Sequence, residues 1–112
     1  MPVNEWLAER VRTALSGQPD VYEKRMFGGI AFMVNGKMCI CVSGARREDN
    51  LMVRVGPRAW AEAQTLPGAS STIMRGKPIK GYVDVDEVGQ RDLNTWVRLA
   101  LDFNQELVAS EE

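Results

Sequence analysis

Apolar positions along the chain follow two different periods. Val3, Leu7, Val11 and Ala14 recur at the three-to-four spacing of a helix with one buried face, and Asn4 stands where such a helix needs a cap. The pattern breaks near Ser16 and Gly17, and Pro19 with Asp20 predicts a connector. Residues 25–27 then lead through Gly28 and Gly29, a pair that predicts a bend or bulge, into a strand over 30–34. Asn35-Gly36 is the strongest short hairpin signal a sequence can carry, because both residues tolerate the positive φ of a type I′ turn. The register that follows sets Val34 opposite Lys37 and Phe32 opposite Cys39. Ile30 and Phe32 would then share one face with Cys39 and Cys41, and Ala31 and Met33 the other with Met38 and Ile40. Both faces are apolar, so helices or a partner must cover them.

Beyond a polar loop over 43–50, residues 51–55 predict the next strand. Gly56-Pro57 then places proline at the first position of a short helix that contains Trp60 and ends by Gln64. Leu66-Pro67-Gly68 breaks the chain, and extended segments over 71–74 and 79–85 flank the loop Arg75-Gly76-Lys77-Pro78. The clearest helix runs from about residue 90 to 107, with Leu93, Trp96, Val97, Ala100, Phe103 and Leu107 in one stripe, and residues 110–112 are expected to fray. This order predicts one α+β domain over residues 1–112. Its mainly antiparallel sheet packs against an N-terminal helix, a short middle helix and a long C-terminal helix.

Composition narrows the class. At 45% hydrophobic and 26% charged residues, the 112-residue chain sits with ordinary globular domains, away from disordered and coiled-coil extremes. No apolar run approaches the roughly 20 residues that span a bilayer, so membrane insertion and export are not expected. The only thiols, Cys39 and Cys41, lie two apart on one strand, which suits buried thiols in a reducing cytoplasm better than a disulfide framework. Without further cysteine or histidine they cannot complete a tetrahedral metal site. The chain has no histidine at all, which removes the commonest general base and zinc ligand.

With these elements placed, the chain resembles the TfoX N-terminal domain family. The resemblance rests on Arg25-Met26-Phe27-Gly28-Gly29, the hairpin through Met38, residues 51–57, Arg75-Gly76-Lys77-Pro78 with Gly81-Tyr82, and Trp96. It implies a small α+β fold, a bacterial source and, in some members, a role in activating DNA-uptake genes together with other transcription factors. It implies no known enzymatic activity. Full-length competence regulators of this kind carry a second, helical C-terminal domain, to which no part of this sequence corresponds.

Charge singles out the candidate site. Residues 24–80 hold ten Lys or Arg against three acids, and residues 81–112 hold eight acids against two Arg, although the whole chain carries only −1. Arg25, Arg54, Arg75, Lys77 and Lys80 are therefore the candidates for contacts with an anion or an acidic partner. The competing reading is that Asp92, Asp102 and Glu106 of the last helix fold back and neutralise the basic middle. The loop at 75–81 lacks the Gly-Lys-Ser/Thr ending of a P-loop, and Gly28-Gly29 lacks dinucleotide spacing. Asp84 and Asp86, read as sharing one strand face, stand beside no nucleophile, and the start of a helix explains Asp86 and Glu87. Trp6, Trp60 and Trp96 are assigned to the core, and the methionines to irregular core space.

The chain thus reads as a non-enzymatic interaction domain with no catalytic residue, metal or cofactor. It engages another protein, such as transcription machinery or a second copy forming a homodimer, through a sheet edge or the apolar hairpin. The alternative is an anion or nucleic-acid binder using the loop from Arg75 to Lys80.

Overall fold

The computed structural model describes residues 4–26, 28–43 and 51–111. Val3, Phe27 and most of the loop expected over 43–50 lie outside the described residues. Helix α1 (Glu5–Ala14) starts where the sequence requires: the Asn4 side chain accepts a hydrogen bond from the Leu7 amide at 3.1 Å. Next come β1 (Val21–Met26), β2 (Gly29–Val34), β3 (Lys37–Val42), β4 (Leu51–Arg54) and α2 (Pro57–Ala63). The chain closes with β5 (Ala69–Met74), β6 (Lys77–Val85), α3 (Glu87–Gln90) and α4 (Leu93–Ser110). All strands join one antiparallel sheet in the order β1-β2-β3-β4-β6-β5. The expected α+β architecture holds.

Several local expectations are corrected. Residues 21–26 form a full strand, and the glycine pair marks a hairpin, not a bulge: Gly28 lies in the connection with φ 71°, and Gly29 already pairs with Met26 as the first residue of β2. Gly29 must lack a side chain because a Cβ there would overlap the Val42 carbonyl across the sheet. The turn at Asn35-Gly36 forms as expected, with φ of 55° and 78°, and Val34 faces Lys37. The bulge lies further on, where Met33 pairs with Met38 but Phe32 pairs with Ile40, not Cys39. The extra residue turns both Cys39 and Ile40 toward the core and sends Cys41 to the other face with Ala31.

At the other end, the expected four-residue loop shrinks to the two-residue turn Arg75-Gly76, with Lys77 and Pro78 already in β6. The last helix is two: Asp86 caps α3 by accepting from the Val88 and Gly89 amides, and α4 then runs ordered to Ser110. Asp86 therefore sits past the strand and shares no strand face with Asp84.

The core lies between one sheet face and the helices. Ile30, Phe32, Val34, Ile40, Val42, Leu51, Val53, Val83 and Val85 meet Leu7, Ala8 and Val11 of α1, Ala63 of α2 and Leu93, Trp96, Val97 and Ala100 of α4. Trp96 is buried as assigned, and Trp60 is half-buried with its indole N–H donating to the Tyr82 carbonyl at 3.1 Å. Trp6 departs from its core assignment. It is 70% exposed, with the Arg10 guanidinium 5.0 Å from its ring centre. The α4 stripe is also revised, since Phe103 and Leu107 are only half-buried whereas Asn104 is buried. The Asn104 amide donates to the Val34 carbonyl at 2.9 Å and accepts from the Asn35 side chain at 3.0 Å, fastening α4 to the β2–β3 turn.

Candidate partner-binding face

Alternation along the strands decides what the second sheet face carries. Residues paired across neighbouring strands share a face, so Tyr22 and Lys24 on β1 stand with Met33 and Ala31 on β2, and Cys41 on β3 stands with Met52 on β4. Further across, Met52 pairs with Asp84, and Arg54 with Tyr82. The helices bury their apolar residues against the opposite face, and among the described residues none lies over this one. Ala31, Met33 and Cys41 are buried here without belonging to the core beneath the helices. Methionine is thus concentrated on the second face and does not merely fill the core.

Toward β5 and β6 this face opens into a groove of about 150 Å³ lined by Met38, Met52, Thr72, Met74, Ile79 and Tyr82. Its walls come from β3, β4, β5 and β6. Ladder pairing between β4 and β6 runs only from Leu51–Val85 to Arg54–Tyr82, so residues 73–80 continue past the end of β4 as a two-stranded ribbon. That ribbon exposes Ile73 and Met74, 57% and 37% accessible. Under the groove, the Thr72 hydroxyl donates to the buried Asp84 carboxylate at 2.7 Å. Elsewhere among the described residues, a cleft of about 270 Å³ beside Arg10, Arg91 and Asp92 is lined mainly by polar side chains, and one of about 670 Å³ is lined by Asp20, Asn35 and Glu111 together with Val21, Tyr22 and Val108.

The five candidate cations fall into three places. Arg25 lies on β1 at one edge of the sheet, on the helix side opposite Ile30. Arg75, Lys77 and Lys80 cluster on the exposed ribbon at the far side, with β2, β3 and β4 in between. Five strand spacings of ~4.8 Å put the two edges roughly 24 Å apart, so Arg25 does not join the others. Arg54 is half-buried between them: it donates to the Met38 carbonyl at 3.3 Å, and its guanidinium lies 5.6 Å from the ring centres of both Tyr82 and Phe103. Lys77 pairs directly with Met74, which places it on the groove's own face.

Neutralisation by the last helix is partial. Glu106 pairs with Arg58 at 3.3 Å and Glu111 with Lys37 at 2.5 Å, whereas Asp92 and Asp102 pair with no described residue. Arg75, Lys77 and Lys80 have no ion pair among the described residues. On the helix side, Arg12 grips Glu23 with two guanidinium nitrogens, and that hydrogen bonding holds the Glu23 carboxyl below its ordinary range. Both thiols are buried, and burial pushes Cys39 up to about 12 against the opposing pull of Arg54. Among the described residues no three His, Cys, Asp or Glu side chains gather as a metal ion requires.

The groove escaped sequence reading because its six lining residues come from four strands and share no spacing. The run of methionines at Met33, Met38, Met52 and Met74 was the available signal. Among the described residues no helix is long and apolar enough to cross a membrane. No curated protein and no solved structure matches the chain. The model of the TfoX N-terminal domain, however, matches residues 13–104, most of its length, and the chain belongs to that family.

Proposed function

We propose that this domain is a non-enzymatic regulatory module that acts by docking another protein on the sheet face opposite its helices. The observation that carries this reading is the methionine-lined groove on that face. Flexible thioether side chains adapt to an incoming surface, and apolar residues exposed together mark interaction sites more often than they fill space. Membership of a family of regulatory type supports the same reading, with transcription machinery as one class of partner and a second copy of the chain as another. The test is affinity capture from bacterial extract by the wild-type domain and by Met74→Asp, with Trp6→Asp on the helix side as control. A partner lost with Met74→Asp and retained with Trp6→Asp supports the reading; capture indifferent to Met74→Asp contradicts it.

A second reading has its own observation, the exposed Arg75, Lys77 and Lys80, which make no ion pair among the described residues. These cations suit an anion or a nucleic acid, whose binding would weaken steeply with salt. Anisotropy of labelled single- and double-stranded nucleic acid, with wild type and Lys77→Glu, separates the two readings.

A further inference from the structure

Resting on the docking reading above, we infer that the groove's occupant is an acidic peptide segment. One aromatic or leucine side chain of that segment enters the pocket while flanking carboxylates meet Lys77 and Arg75. Three features of the site converge on this chemistry.

The first is size. A cavity of about 150 Å³ takes one benzene-sized group. Interface energy concentrates in such single anchors seated in well-packed pockets. The second is lining. Met38, Met52, Met74, Ile79 and the ring of Tyr82 offer apolar and aromatic contact to the anchor. The hydroxyl of Thr72 is already committed to Asp84.

The third is charge. Lys77 shares the groove's face through its pairing with Met74, and Arg75 stands beside Met74 in the turn that joins the two strands of the ribbon. Lys80, next to the lining residue Ile79 on β6, falls on the opposite face, and the Arg54 guanidinium reaches toward Phe103. At the other edge Lys24 shares the same face. Among the described residues the carboxylate on this face, Asp84, is buried and takes the Thr72 hydrogen bond, so their exposed potential is positive. Complementary potential selects partners at such surfaces and penalises like charge.

The same charges argue against the other occupants. A second copy apposed through this face would set lysine and arginine against lysine and arginine. A nucleic-acid backbone would satisfy the cations but leave the methionine-lined pocket without an apolar partner.

The test is selection from a random peptide-display library on the folded domain, followed by titration of the enriched peptides against methyl-labelled methionine in the wild type and in Lys77→Glu. Lys77 is fully outside the core, so the variant keeps the fold, which circular dichroism verifies. The expected result is enrichment of acids around one aromatic or leucine residue and shifts at Met52 and Met74. Binding should fall about tenfold in Lys77→Glu at low salt, and less at physiological salt, where rim charges are screened within ~8 Å. Enriched peptides that are neutral or basic but still shift Met52 and Met74 would overturn the acidic occupant and leave the docking face standing. Absence of enrichment, or peptides that leave those methyls unmoved, would overturn both. Displacement of the peptides by nucleic acid that itself shifts the methyls would replace the peptide with an anionic polymer. Self-association that shifts the methyls without peptide would replace it with a second copy.

Discussion

Replacing Asn104 by alanine isolates the contact that ties the last helix to the central hairpin. The side chain is 2% exposed and makes two hydrogen bonds, to the Val34 carbonyl at 2.9 Å and from the Asn35 amide at 3.0 Å. Each bond contributes about 1 kcal/mol net, and a buried partner stripped of its hydrogen bond adds a desolvation cost of similar size. Asn35 is half-buried and can turn to water, so that extra cost falls on the Val34 carbonyl alone. The expected loss is about 2–3 kcal/mol, which for a domain of this size lowers Tm by roughly 8–12 °C. Urea and thermal unfolding measure it directly. Asn35→Gly, which keeps the positive φ, should be less than additive with Asn104→Ala by about 1 kcal/mol. A loss below about 0.5 kcal/mol, the range of unremarkable surface changes, or full additivity in the cycle, would refute the claim that these two residues fasten α4 to the turn.

Other consequences are smaller or more local. Asn4→Ala removes the cap of α1 and should cost about 1 kcal/mol in urea unfolding; no change would show that Asn4 contributes nothing. Gly56→Ala places a Cβ in the Phe103 ring at φ 86°, and should destabilise by about 2 kcal/mol or more, with Phe103→Leu partly restoring stability. Cys39, raised to about 12 from 9.0, keeps its proton when folded at pH values where the unfolded thiol has lost it. Its contribution is therefore constant below pH 9 and falls between 9 and about 12, so Cys39→Ala should flatten the alkaline decline seen by thermal unfolding. Lys77→Glu should leave stability within about 0.5 kcal/mol of wild type, since that side chain is exposed and touches no core residue.

Sequence reading succeeded where structure is decided locally. The Asn4 cap, the Asn35-Gly36 turn and the Asp86 helix start each depend on a side chain and backbone groups a few residues away, so they were visible in order along the chain. It failed at β1, because an edge strand needs little burial: Glu23, Lys24 and Arg25 stand exposed in its middle and break any apolar alternation. It failed again at the bulge, since the run Met38-Cys39-Ile40-Cys41 is apolar at every position and marks no face. Charge counting put Lys77 and its neighbours forward as candidates and grouped Arg25 with them. Only strand order separates these residues, and strand order is set by packing across the whole sheet.

Methyl spectra of the domain labelled at methionine, leucine and valine, recorded with and without a soluble nitroxide, measure whether the groove face is open to solvent in the free domain. The expected result is that the Met52 and Met74 methyls broaden while those of Leu51 and Val83, on the helix side of the sheet, stay sharp. Met52 and Met74 methyls as well protected as Leu51 would contradict it, because a face already covered has no partner to receive.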